Sequence, residues 1–198
     1  MGFLLWEKND PKSDRRCVHE TEDGELQIYM KHGPQYFPAI TDIMKERNPE
    51  LIIELGTHLG GMTAILSDYF PDVEIHTFEL DIDTVAVETV ENLSRKNVTF
   101  HERSLFPREH EELVNLLIGG VDKRKVLYCD NGNKEMEMEL YSKYLMPGDL
   151  LGCHDWGSEV KAGNIRGFLN KYGFISSPKN TELEIANLFS RFWIKEDL

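Results

Sequence analysis

Cysteine is scarce in this chain. The three present, Cys17, Cys129 and Cys153, are odd in number and widely spaced, with no C-x-x-C pair. That excludes a disulfide framework and a structural zinc knot. Long apolar runs are also missing: nothing approaches the ~18 consecutive apolar residues that cross a bilayer. The opening Met1-Gly2-Phe3-Leu4-Leu5-Trp6-Glu7 has too short an apolar core for a secretory leader, so a cytoplasmic protein is expected. Positive charge is in short supply, with 22 Lys and Arg against 35 Asp and Glu, a formal net charge of −13. Nucleic-acid affinity is driven by phosphate contacts, and a chain this acidic lacks the electrostatic footprint for them or for an anionic membrane surface. The one tight basic cluster, Lys123-Arg124-Lys125, reads as a solvated loop beside a strand start.

What is present suits a globular enzyme-sized domain. Hydrophobic residues make up 40% of the 198 positions, enough for a core that removes roughly 70% of the unfolded chain's surface from water. No internal repeat appears, and the polar stretch from Glu7 to Gly24 is the longest candidate linker. This reading divides the chain into an N-terminal extension or lid over 1–34 and a main domain over 35–198. In the main domain, short β-rich runs alternate with amphipathic helical ones. Strands are expected over Leu51–Leu55, Val73–Phe78, Val98–His101, Val126–Cys129 and Asp149–Cys153, with helices between them and an accessory helix over Gln35–Arg47 ahead of them. That alternation specifies an α/β, Rossmann-like, doubly wound, mostly parallel sheet. Two final strands, Phe174–Ser176 and Leu188–Ile194, joined by a polar loop over Pro178–Glu184, imply an antiparallel last strand and seven strands in all.

Ligands of such sheets bind beyond the carboxyl ends of the strands. The first main-domain strand runs into Glu54-Leu55-Gly56-Thr57-His58-Leu59-Gly60-Gly61-Met62-Thr63. Glycines there let the backbone turn tightly and open a helix whose amides attract an anion. The spacing is neither the G-x-G-x-x-G of dinucleotide binders nor a GK[ST] phosphate loop, which weighs against the rival reading of an NAD-dependent oxidoreductase. The second strand ends in Glu79, about 20 residues past the glycines, where a carboxylate can accept both hydroxyls of a ribose. The fourth ends Cys129-Asp130-Asn131-Gly132-Asn133-Lys134 and the fifth Cys153-His154-Asp155-Trp156. Adjacent parallel strands bring Asp130 close to His154 and Asp155. Two carboxylates so placed repel unless a proton or a cation lies between them, and an oxygen-rich site of few protein ligands favours Mg²⁺.

With these residues in place, the region from Gln35 to Trp156 resembles the metal-dependent class I O-methyltransferases that use S-adenosylmethionine (SAM). It is closest in texture to the macrocin, mycinamicin and cephalosporin-hydroxylase-like groups and more distant from the catechol group. The resemblance implies a SAM site made of Glu54, Gly56, Thr57, His58, Gly60, Gly61, Thr63, Glu79, Ser104 and Asp130. It implies a metal held by Asp130, His154 and Asp155, with His154 standing where the antibiotic enzymes carry an acid. The family's base, three residues after the strand-four aspartate, is here Asn133, which cannot take a proton. Lys134 and His154 are the alternative catalytic groups beside Asp130, although a lysine at Lys134's position more often faces solvent. The expected activity is methyl transfer from SAM to a hydroxyl of a small sugar, aromatic or polyketide-type acceptor, with Mg²⁺ assisting. The contrasting reading is a SAM-binding protein whose site has decayed, motivated by Asn133, His154 and Trp156. Trp156 and the aromatics Tyr36 and Phe37 are candidates for the acceptor mouth, packing being the commoner role of Tyr36 and Phe37. No nucleic-acid or membrane partner is expected, and Trp6 offers a contact for a homodimer.

Overall fold

The computed structural model describes residues 36–58, 60–79, 93, 95–102, 111–119 and 122–197, together with the backbone of three strands within the first 30. Those strands, β1 (Leu4–Trp6), β2 (Arg15–Thr21) and β3 (Gly24–Met30), form an antiparallel sheet in the order β1-β2-β3. The stretch expected to be a linker therefore contains a strand. Pairing from Arg15↔Met30 to Thr21↔Gly24 makes β2 and β3 a hairpin. The sequence of β3 alternates Leu26, Ile28 and Met30 with Glu25, Gln27 and Tyr29, the period-two pattern of a strand.

The second sheet has seven strands in the order β6-β5-β4-β7-β8-β10-β9. They are β4 (Leu51–Leu55), β5 (Glu74–Glu79), β6 (Val98–Glu102), β7 (Lys125–Cys129), β8 (Leu150–Cys153), β9 (Phe174–Ser176) and β10 (Arg191–Lys195). Pairing is parallel from β6 through β8, and β10 runs antiparallel to both of its neighbours, β8 and β9. The expected doubly wound sheet with an antiparallel last strand is what forms. One connection differs. The residues read as a polar loop after β9 contain a short helix, α6 (Asn180–Ile185). Its first residue ties it to the sheet, because the Asn180 amide group donates to the Phe192 carbonyl (2.7 Å) and accepts the Phe192 N–H (2.8 Å).

The other helices are α1 (Tyr36–Lys45), α2 (Gly61–Tyr69), α3 (Glu111–Gly119), α4 (Lys134–Tyr141) and α5 (Ala162–Lys171). Every residue of β4 and β7 is buried, as a central parallel strand covered on both faces requires. Alternate residues feed two cores. Ile52, Val126, Tyr128 and Leu150 join α1 and α2 on one side, while Leu51, Ile53, Leu127 and Leu151 join α3, α4 and α5 on the other.

Two polar clasps hold this framework. At the amino end of β7, Lys125 is fully buried rather than solvated as its basic neighbours suggested. Its ammonium lies 3.3 Å from Asp149, whose carboxylate also accepts the N–H groups of Lys125 and Met146, both at 2.8 Å. At the other edge, buried His76 of β5 and His101 of β6 meet end to end, with Nδ1 and Nε2 2.7 Å apart and rings nearly coplanar. The outer nitrogen of His76 faces Glu74 at 2.8 Å, and that of His101 faces Glu112 of α3 at 3.1 Å.

Candidate active site

The strand order reverses between β4 and β7, and the loops that leave these two strands border the same crevice, the usual ligand site of an open α/β sheet. Here the chain turns through residues that tolerate a left-handed backbone: Gly56 (φ 100°), His58 (φ 46°) and Gly60 (φ 71°). Gly56 is required for a second reason. A Cβ there would lie 2.6 Å from the carbonyl oxygen of Asp130, so the two loops approach as closely as backbones can. The Asp130 N–H completes the join by donating to the Leu55 carbonyl at 2.8 Å.

Beneath the glycine turn, Glu54 is buried. One of its oxygens accepts hydrogen bonds from the hydroxyls of Thr63 and Thr77 (2.7 Å for Thr77). Burial pushes its carboxyl up to about 8, against the pull of those two hydroxyls, so at neutral pH it holds a proton. Thr57 joins the cluster through Thr77 at 2.6 Å. Glu54, Thr57 and Thr63 therefore support the turn from below. Gly60 caps α2 and Gly61 opens it. Glu79, at the end of β5, accepts the amide N–H of His58 at 2.9 Å, which brings the carboxylate expected at the ribose to the rim of the turn. Ser104, expected at the adenine, lies outside the described residues.

Against this turn, Asp130, His154 and Asp155 come together. One potential ligand atom from each lies within 4.8 Å of the others. His154 Nδ1 is 3.3 Å from Asp130 and 3.2 Å from Asp155. Burial opposes charge on the ring, but the bond to Asp130 and the charges of both aspartates outweigh it and raise the His154 pKa. The Tyr36 ring meets the His154 ring edge-on, with centroids 5.5 Å apart. The Tyr36 hydroxyl is anchored in turn to Tyr128 and to Ser190 (2.7 Å). Tyr36 and Phe37 are both buried, Phe37 within the apolar core and Tyr36 between that core and His154. Asp155 has a left-handed backbone (φ 56°), and its carbonyl accepts the amides of Ser158, Glu159 and Val160 in one tight turn.

Lys134 is the main departure from expectation. Instead of facing solvent it is buried, with Nζ 2.9 Å from Asp155, 2.8 Å from Glu159 and 3.7 Å from Asp130. Burial would lower its pKa, yet its bonds to Glu159 and Asp155 and the charge of Asp130 raise it above the ordinary lysine range. Lys134 is thus an ammonium held among three carboxylates, and Asn133, exposed at the start of α4, offers no proton acceptor. Glu159 escaped the sequence reading because an acid 25 residues from Lys134 carries no local pattern. Phe189 escaped it too. It is 54% exposed, and its carbonyl accepts the Trp156 N–H at 2.9 Å. Trp156 itself is half-buried against Trp193, with the Arg191 guanidinium 5.8 Å from its ring centre.

No protein-family model matches the sequence, and no curated protein does. Solved structures match in fold. The apo form of CmcI-N160 superposes with a TM-score of 0.61 at 16% identity, covering 86% of this chain and 74% of that one. The Mg-SAM form of CmcI-D160 gives 0.58 at 14% identity, covering 83% and 73%. TomG, an O-methyltransferase of tomaymycin synthesis from Streptomyces achromogenes in complex with SAM, gives 0.53 at 15% identity, covering 84% and 81%. A CmcI-N160 chain with SAH (S-adenosylhomocysteine) is matched over 63% of its length, so this chain spans just under two thirds of that one. The chain has the Rossmann-like fold of these proteins.

Proposed function

We propose that the chain is a SAM-dependent O-methyltransferase acting in the cytoplasm on a hydroxyl of a small sugar, aromatic or polyketide-type molecule, with Mg²⁺ assisting. The observation that carries this reading is the meeting of two features at one crevice. A left-handed glycine turn rimmed by Glu79 lies against Asp130, and Asp130 also faces His154 and Asp155. The fold of CmcI and TomG supports it, since those proteins are named with Mg-SAM and with SAM respectively.

In this reading Glu79 accepts the ribose hydroxyls, and the turn from Gly56 to Gly61 lies along the rest of the cofactor. SAM supplies an electrophilic methyl on a sulfonium. The two carboxylates are hard oxygen donors that suit Mg²⁺, and the imidazole beside them is a donor more typical of divalent transition ions. A Mg²⁺ ion held by Asp130, His154 and Asp155 would supply positive charge that favours the ionised form of the acceptor hydroxyl. The chain's own contribution is alignment. Holding oxygen, methyl carbon and sulfur in line accounts for up to about 7–11 kcal/mol of barrier in model reactions. Trp156, next to Asp155, and the exposed Phe189, whose backbone pairs with that of Trp156, offer apolar surface for the acceptor's body.

The test is a transfer assay with methyl-labelled SAM and a panel of sugars and phenols. Label should appear on a hydroxyl and fall by about a hundredfold or more in Asp130→Asn, with SAH binding retained. Transfer unchanged in both Asp130→Asn and Asp155→Asn would contradict the assignment.

A further inference from the structure

The crevice already contains a cation of its own. The Lys134 side chain is 5% exposed, and its ammonium contacts Asp155 and Glu159 and approaches Asp130. Those two aspartates are also two of the three groups whose ligand atoms converge. Glu159 is not among the converging groups, and its side chain is 56% exposed. We propose that Lys134 is an internal counter-cation that competes with a divalent ion for Asp155 and Asp130, and that Glu159 is where its ammonium rests when the ion is bound. The proposal rests on the reading of Asp130, His154 and Asp155 as a metal site.

Three structural features support this exchange. Lys134 opens α4 on the buried side, the side it shares with Glu137, Met138 and Tyr141, so its ammonium has no easy retreat to solvent. Asp155 and Glu159 belong to one tight turn, closed by the Glu159 amide on the Asp155 carbonyl at 3.0 Å, so a small movement trades one carboxylate for the other. That turn is latched to α4 independently of Lys134. The Glu135 carboxylate accepts the Lys161 N–H at 2.9 Å and the Asn164 amide at 2.9 and 2.8 Å. Glu159 therefore stays in reach when Asp155 is released. Without an ion, the ammonium relieves the repulsion between the aspartates. With one, it moves to a carboxylate the ion does not use. The crevice then has an intrinsic setting for divalent affinity, written in Lys134 rather than in the ligands.

The probe is Mn²⁺, followed by its paramagnetic resonance signal during titration of the full chain. Lys134→Met should tighten Mn²⁺ binding by about tenfold or more, because a neighbouring unit charge is removed. Lys134→Gln, which can still donate to Glu159, should tighten it in the same direction and guards against a misfolded methionine variant. The decisive comparison is Glu159→Gln. It should weaken Mn²⁺ binding severalfold in the wild-type background and leave it unchanged in Lys134→Met, where there is no ammonium to rest. Equal weakening in both backgrounds would mean that Glu159 acts only through its charge, and would overturn the proposal. Equal affinity of wild type and Lys134→Met would overturn it while leaving the metal site standing. No Mn²⁺ binding by either at millimolar concentration would remove the metal reading itself.

Discussion

Glu54 and Gly56 are two residues apart and carry opposite kinds of constraint. Gly56 answers to backbone geometry: φ is 100° and the Asp130 backbone fills the space of a Cβ. Gly56→Ala should cost on the order of 2 kcal/mol or more in urea denaturation and push the Asp130 loop away from the turn. Glu54 answers to burial. Below its ordinary value of 4.5 both the folded and unfolded chains hold the proton, and its contribution to stability is fully present. As pH rises towards 8 the unfolded chain ionises first, so that contribution falls, and it levels off once the folded carboxyl titrates at about 8. Glu54→Gln should flatten the decline in unfolding free energy between pH 4.5 and 8, measured by urea denaturation across that range. An unchanged slope would mean that Glu54 is ionised in the fold. At this scale Gly56 was legible in the sequence, because few residues other than glycine tolerate such a turn. The Lys134–Glu159 contact was not, because it depends on how the turn after β8 folds back over α4.

The elements show the same division. The strands of the main sheet are plain in the sequence as buried β-branched and leucine-rich runs between turn residues, and β10 was expected as an antiparallel partner because the spacer after β9 reads as a polar loop, although that spacer contains α6. The helix α6 was hidden because it is short and polar, and it is held by Asn180 pairing with the backbone of β10 rather than by an apolar stripe. β2 was hidden because its residues are mostly polar, and only pairing with β3 reveals it. Lys125 looked solvated for a similar reason: its neighbours Lys123 and Arg124 are basic loop residues, while its own side chain turns inward to Asp149. The Lys125–Asp149 clasp joins β7 to the segment that leads into β8. Asp149→Ala should destabilise the fold by about 3–5 kcal/mol, because it removes the carboxylate that balances a buried ammonium and leaves two amide donors without their acceptor. The double variant Lys125→Met with Asp149→Asn should recover much of that loss. Additive losses in chemical denaturation would show that the two side chains are not coupled.

For the molecule as a whole, architecture was easier to read than chemistry. Seven strands wound in this order serve many activities, so the fold narrows the function without choosing it. Among the described residues, no helix is long and apolar enough to cross a membrane. The choice of function rests on one crevice in which a glycine turn, Glu79 and the Asp130–His154–Asp155 group converge. The most direct test is calorimetric titration of the full chain with S-adenosylhomocysteine, first with Mg²⁺ and then with chelator, alongside NADH. The account predicts micromolar binding of S-adenosylhomocysteine that persists in chelator and weakens by about tenfold or more in Glu79→Ala, and no heat from NADH. No binding of S-adenosylhomocysteine in either condition, or binding indifferent to Glu79, would contradict it.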